Sequence, residues 1–452
     1  MNNKKFLLVI NLIIFSSNVQ SAKILDSKIF SKKVTDCDMH KAKLIIGNNH
    51  DNAIIAMHAA IYTKDNFIRM QIPEEYCCNF LGGYVNNDQF NIIFDDVNTI
   101  NIYTIRTKPE LMTRIESDSS YDKIVIFSEQ NHDIYLFGHY LKTNSNPVRM
   151  ILQNCIDLYS YEPVLAKIKD GNIEKQIRPE CGVAQNESYV VEEVVAEKDL
   201  IHFFGFRNID IPNVDGAMPI KAVRADLDGY SKKVYGFANG DYYIGRDITK
   251  SVILYYSDYN LNKEKNARRC KIYENIPGYN EKADAYFDYG VISADGQDDD
   301  IFAVFSWNEI NKFKRGKYKQ PFDINNVNSS IYFWQCDDKS YGKAEKIADG
   351  FCPLVRADQF GRVHVFYVDR NGNIVQKVRT SNKWSNEEII LSGFSTKESI
   401  IYTKACTVKT DKKRPEAILY TKFIAAEFDI ENNLHIVYPT AEGIVYTKMK
   451  LD

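Results

Sequence analysis

Several common signatures of chemistry are missing from this chain. There is no Gly-x-x-x-x-Gly-Lys phosphate loop, no Gly-x-Gly-x-x-Gly dinucleotide turn and no Gly-x-Ser-x-Gly nucleophile elbow. Nucleotide chemistry and a serine nucleophile held on a strained turn are therefore not expected. Neither a Cys-x-x-Cys pair nor a Cys/His spacing of the zinc type occurs, so no structural metal and no cofactor are implied. Charge of one sign is lacking too: 57 Lys and Arg face 60 Asp and Glu, a net −3, which recommends neither nucleic acid nor an anionic membrane as a partner. Proline is scarce, with 12 residues in 452.

Long apolar runs are also absent. The one sustained stretch, Phe6 to Phe15, includes Asn11 and is shorter than the roughly 20 residues a spanning helix needs. Lys4 and Lys5 precede it, and the small, polar stretch Ser16 to Ala22 follows. This order is that of a secretory signal peptide over 1–22, with cleavage after Ser21 or Ala22; a retained N-terminal anchor is the alternative. The mature chain is expected to be exported (secreted, periplasmic or at the cell surface) with no membrane span after cleavage.

What the chain does contain suits pleated sheets. There are 29 Tyr and 25 Phe among many Ile and Val, residues that fit half-buried strands. Nine cysteines follow the leader: Cys37, Cys77, Cys78, Cys155, Cys181, Cys270, Cys336, Cys352 and Cys406. In an oxidising compartment they read first as disulfides. Their odd number leaves one thiol unpaired or linked to another chain, and spacing does not give the connectivity.

Internal repetition is the most informative feature. ADQFGRVHVFYVDRNGNIVQKV from Ala357 superposes on FDIENNLHIVYPTAEGIVYTKM from Phe428, so that Asp358 falls on Asp429, His364 on His435 and Tyr367 on Tyr438. The unit is turn, strand, tight turn, strand. FDDVNTINIYTIRT from Phe94 matches YVDRNGNIVQKVRT from Tyr367, and weaker copies begin at Asp133, Asp199, Ser251 and Asp300. These make seven, with an eighth and weakest copy at Asn52. Strands such as HVFY and IHFF are apolar on both faces, which favours radial blades packed on both sides over a single solvated sheet. The expectation is an all-β, single-domain β-propeller over 23–452 with seven blades, six or eight being the alternatives. A β-helix or tandem sandwiches are the competing architectures. The last copy stops after its second strand, and AKLIIG from Ala42 is expected to complete its sheet. The spacers 308–330 and 395–415 are expected to be loops or extra rim strands.

The pattern in DQFGRVHVFY resembles the repeat of sialidase-like, BNR-type propellers, clearly over 357–452 and faintly elsewhere. That resemblance implies a propeller fold. The Asp-box of that family, Ser-x-Asp-x-Gly-x-Thr-Trp, has its nearest counterpart in TSNKWS, which keeps Ser381 and Trp384 but lacks the Asp and Gly. The family's Arg-Ile-Pro-like motif is approached only by FIRMQIP, with Arg69 and Pro73. No catalytic residue carries over.

Four groups of residues are candidates for a site. His202, His364 and His435 occupy equivalent strand positions, where other copies place Tyr135 or Phe302; buried, hydrogen-bonded histidines explain them better than a titrating ring. Asp295, Asp298, Asp299 and Asp300 form the densest acidic cluster, without the order of a calcium loop. Lys312, Lys314, Arg315, Lys317 and Lys319 alternate with Phe313 and Tyr318 and read first as an exposed loop. Tyr242, Tyr243, Tyr256 and Tyr259 could offer flat faces to sugars from loops. Asn186 and Asn328 head glycosylation sequons that act only in a eukaryotic secretory pathway. The leading functional expectation is a non-catalytic binding protein presenting loops to a glycan or a protein. A glycan-acting hydrolase or lyase is second, and a structural role in an envelope or surface assembly third.

Overall fold

The computed structural model describes residues 22–31 and 43–46, the strands between 53 and 311 with the turn 261–263, and the stretches 327–336, 342–394 and 424–451. Residues 1–21 lie outside it. The described chain is all-β and made of small antiparallel sheets. In chain order, the first sheet holds Lys43–Ile46, Ala53–Met57, Ala60–Thr63 and Phe67–Arg69, and the second Asn79–Asn86, Gln89–Asp96, Thr99–Ile105 and Pro109–Glu116. The third holds Ser120–Ile126, Ile134–Thr143, Tyr159–Lys169 and Asn172–Ile177. The fourth holds Glu187–Glu197, Leu200–Ile209, Val252–Asn260 and Lys265–Glu274, interrupted by a separate three-stranded sheet of Ile220–Ala225, Ser231–Gly236 and Tyr242–Ile244. The fifth is built on Ala285–Gln297, Asp300–Asn311 and Val327–Cys336, with Gly278–Asn280 and Glu345–Asp349 at its edges. Phe351–Ala357, Val363–Val368, Asn373–Thr380, Lys383–Trp384 and Glu388–Ser392 make the sixth, and Ala425–Phe428, Asn433–Thr440 and Gly443–Lys450 the core of the seventh.

Side chains alternate along each strand, and in this chain both faces find an apolar neighbour. Ile134 and Leu136 pack against Leu81, Ile93 and Ile100 of the second sheet. Tyr135 and Phe137, one residue out of step, pack against Ile201 and Phe203 of the fourth. The same division recurs further on, where Val363, Val365 and Tyr367 face the fifth sheet and Phe366 and Val368 face the seventh. A strand covered on both sides has no polar face, which is why these segments read as unbroken apolar runs. Each fully buried Phe contributes about 1.5–3 kcal/mol, and Phe137, Phe203, Phe204, Phe305 and Phe366 are all completely enclosed.

Consecutive sheets meet through their leading strands. Lys43–Ile46 lies beside Asn79–Asn86, which lies beside Ser120–Ile126; the succession continues through Glu187–Glu197, Ala285–Gln297 and Phe351–Ala357 to Ala425–Phe428, which lies beside Lys43–Ile46 again. The chain ends are tied together, although by a different segment from the one expected. Lys23–Ser31 pairs antiparallel with Gly443–Lys450, whereas the AKLIIG segment supplies Lys43–Ile46, the leading strand of the first sheet. The physical reason is order along the chain: a strand completing the last sheet must precede the one that begins the first.

The repeat copies also sort differently from their sequence count. The copies at Asp199 and Ser251 are partners in one sheet, with Ile201 opposite Tyr259, so they are not two units. The weakest copy, at Asn52, contributes Ala53–Met57 and Ala60–Thr63 to a sheet of its own. The first spacer begins and ends inside paired strands, with Asn308 opposite Ser329; its middle, and residues 395–423, lie outside the described residues.

Candidate ligand-binding face

The turn leading into each of the last two sheets' second strands is locked by one aspartate. Asp358 Oδ1 accepts the backbone N–H groups of Phe360 and Arg362, both at 2.9 Å, while Oδ2 accepts from Arg362 Nε at 2.7 Å and His364 Nε2 at 3.1 Å. Asp429, its equivalent, accepts the N–H groups of Glu431 at 3.0 Å and Asn433 at 2.7 Å, and is reached by His435 Nε2 and Lys448 Nζ at 3.1 Å each. Asp369 repeats the backbone part of this pattern, capping Asn371 and Asn373 at 2.8 Å. Three residues after each aspartate the chain turns left-handed, at Gly361 (φ 75), Gly372 (φ 78) and Asn432 (φ 61). Glycine and asparagine tolerate that region best. The Asp and Gly/Asn of the repeat pattern are therefore turn chemistry.

The three histidines are each 1% exposed and sit in three separate sheets. His364 Nε2–H donates to Asp358, and Nδ1 accepts from the Gln376 amide at 2.6 Å. Burial, the largest influence, pushes the imidazole below its ordinary value; the bond to Asp358 opposes this and the Arg362 charge adds to it. His435 Nδ1 accepts from the Tyr446 hydroxyl at 2.8 Å. The Asp358 and Asp429 carboxyls resist charging through burial, yet hydrogen bonds from His364 and Arg362 in one case, and from Asn433, His435 and Lys448 in the other, hold both well below the usual carboxylate range. All three shifts are depressions, so the stabilisation they bring is complete above about pH 6.5, the unfolded histidine value, and is lost as pH falls. Thermal unfolding is expected to show the melting temperature dropping first below about pH 6.5 and again below about pH 4, the unfolded carboxylate range. A melting temperature unchanged between pH 7 and pH 5 would count against the buried neutral imidazole.

The other candidates fall out as follows. Asp295 faces backbone: its carboxylate accepts the N–H of Gly296 at 2.9 Å and of Ala357, across the gap to the sixth sheet, at 2.8 Å. Asp298 and Asp299, and Lys312 to Lys319 with them, lie outside the described residues, while Asp300 begins a strand opposite Gln297. Among the described residues no group of three or more His, Cys, Asp or Glu is placed to hold a metal. The four tyrosines expected on loops are strand residues: Tyr242 and Tyr243 belong to the inserted three-stranded sheet, and Tyr256 and Tyr259 to Val252–Asn260. Arg69 ends an edge strand opposite Ala60, and Pro73 lies outside the described residues. In TSNKWS, Ser381 (φ 49) and Asn382 (φ 63) form a two-residue hairpin turn. Trp384 then packs edge-on against Phe333 at 5.0 Å and donates to Glu345 at 2.9 Å. Asn328 is exposed and accepts from Arg370 at 2.8 Å. Cys336 is buried and Cys352 half-buried; Cys270 is in Lys265–Glu274, and the remaining cysteines lie outside the described residues.

A charged row went unnoticed in the sequence. Asp295, Arg356 and Glu427 stand on the leading strands of the fifth, sixth and seventh sheets, opposite Phe302, His364 and His435 respectively. They are therefore equivalent positions in three successive units. Arg356 Nε donates to Glu427 Oε1 at 2.9 Å and to the Ala426 carbonyl at 2.8 Å. Burial, the largest influence on Asp295, raises its carboxyl above the ordinary value despite the Arg356 charge. Burial also works against the charge of Arg356, but Glu427 and Asp295 more than restore it. The signal was available one residue before the aligned segments, where Arg356 and Glu427 are themselves 71 residues apart.

At the turns that follow two of these leading strands, two apolar side chains stand in solvent. Phe360 is 70% exposed and Ile430 66%. The turns carrying them are joined, because Asn432 Nδ2 donates to Asp358 Oδ2 at 3.3 Å. The Arg362 guanidinium lies 5.7 Å from the centre of the Phe360 ring, and its bond to Asp358 fixes it there.

No family model matches the chain, and no curated protein matches it in sequence. Among solved structures it is similar to the WD40 domain of Neurospora crassa Pan2, at 10% identity over 96% of this chain and 97% of that one, with a TM-score of 0.48. It is also similar to Penicillium chrysogenum alpha-L-arabinanase, at 10% identity over 84% and 94% with a TM-score of 0.38. A third is the six-bladed β-propeller lectin of Aleuria aurantia, at 10% identity over 81% and 88% with a TM-score of 0.32.

Proposed function

We propose that residues 23–452 form a single, exported, seven-bladed β-propeller that holds a carbohydrate at the end of the ring bearing the turns 358–362 and 429–433. The succession of leading strands that returns from Ala425–Phe428 to Lys43–Ile46 supports the ring, and the pairing of Lys23–Ser31 with Gly443–Lys450 supports its closure. The observation that carries the ligand reading is Phe360, a ring exposed by 70% on a turn whose backbone is immobilised by Asp358. A rigid aromatic face costs little entropy on binding and suits the C–H face of a sugar. The Arg362 guanidinium lies against that ring and presents donors of the kind that bind hydroxyl groups. A glycan array probed with the wild type and with Phe360→Ala tests this. Saturable binding by the wild type, weakened roughly tenfold in the variant at unchanged stability, is expected. An array silent with the wild type, or equal affinities, would overturn the reading.

A second reading, a glycan-acting hydrolase or lyase, is favoured by the carboxylates on either side of Arg356. Asp295 is raised by burial while Glu427 is 41% exposed and ion-paired, the opposed environments that acid and base roles require. Turnover of a fluorogenic glycoside panel by the wild type, abolished in Asp295→Asn and Glu427→Gln, would establish it.

A further inference from the structure

We propose that Lys23–Ser31 is a self-association strand through which two copies of this chain pair edge to edge about a two-fold axis at Ser27. One edge of this strand is held by Gly443–Lys450, and among the described residues no strand pairs with the other. Ile24, Leu25 and Ile29 are 47%, 45% and 45% exposed, so apolar side chains stand in solvent along an open edge. Such an edge is a template for another strand.

The occupant is argued from the sequence of the strand, KILDSKIFS. Laid antiparallel on itself with Ser27 at the centre, it sets Asp26 opposite Lys28 of the second copy and Leu25 opposite Ile29. From Leu25 to Ile29 each apolar residue meets an apolar one and Asp26 meets Lys28, twice over by symmetry. Lysine on an edge ordinarily repels a foreign strand, but here an aspartate two residues away lets the same strand accept its own copy. The ladder to Gly443–Lys450 is regular from Asp26 to Ile29, while register shifts fall just outside, between Ile24 and Asp26 and between Ile29 and Ser31. These bulges bend the ends away and confine the pairing to the centre.

The test is a charge exchange on the purified full chain, read by sedimentation velocity over a dilution series. The wild type is expected to dimerise. Asp26→Lys and Lys28→Asp each place like charges opposite one another and are expected to associate more weakly by on the order of tenfold or more. Mixed together, the two variants restore opposite charges at both positions and are expected to form a heterodimer of wild-type affinity, which also shows that each is folded. A monomeric wild type, single variants that dimerise as the wild type does, or a mixture that stays monomeric would overturn the proposal.

Discussion

Replacing Asp358 with alanine is expected to cost about 3–5 kcal/mol of folding stability, measured by urea denaturation at pH 7. Its side chain is fully enclosed, and five donors converge on it: the N–H groups of Phe360 and Arg362, the Arg362 guanidinium, His364 Nε2 and Asn432 Nδ2. Alanine leaves the imidazole and two backbone N–H groups without their acceptor. Asp358→Asn keeps one carbonyl oxygen for the backbone donors and should fall between the two. The effect should also couple to Asp429→Ala, because the Asp429 carboxylate caps the N–H groups of Glu431 and Asn433 on either side of Asn432, whose Nδ2 donates to Asp358; the double variant is expected to cost less than the sum of the singles. A loss below about 1 kcal/mol for Asp358→Ala, the range of an ordinary surface change, would mean that the turn holds without its cap.

Arg356→Ala is expected to destabilise by about 2–4 kcal/mol at neutral pH, since it removes the charge that offsets the buried Asp295 and takes the donor from Glu427 and from the Ala426 carbonyl. The pH dependence of that deficit is the sharper observable. Burial already raises the Asp295 carboxyl, and Arg356 is the charge that restrains the rise. Without the arginine the folded value climbs further above the unfolded one. A carboxyl raised on folding costs stability when ionised, so the gap between variant and wild type should be widest above its folded value and narrow as pH falls through it. Arg356→Met, which keeps the aliphatic packing, should show the same pH-dependent gap with a smaller overall loss. A deficit independent of pH would attribute the effect to packing alone.

Much of the local structure was legible because it depends on neighbours in the chain. The aspartate and the Gly or Asn three residues later specify a capped turn at 358, 369 and 429, and so 358–362 and 429–433 superpose from the sequence alone. The continuous apolar stretches announced strands covered on both faces. The burial of His364 and His435 followed from their place among residues such as Tyr135 and Phe302. The charged row was only half visible: Arg356 and Glu427 keep the spacing of the repeat, but Asp295 lies in a unit whose turn differs, and no alignment of turns brings it into line. The tyrosines were misplaced because an aromatic pattern does not separate a loop from a strand when both are rich in Tyr.

The sequence by itself determined the all-β character, the hairpin unit and the turn chemistry, each set by side-chain period and by interactions within a few residues. Tertiary structure alone decided that the Asp199 and Ser251 copies share one sheet, that Lys23–Ser31 completes the last sheet, and that Asp295, Arg356 and Glu427 stand in a row. These depend on which backbone edges and which strand faces meet across gaps of 50 to 427 residues. Edge hydrogen bonds form equally well with any extended segment. Only the packing of all the sheets together selects the partner.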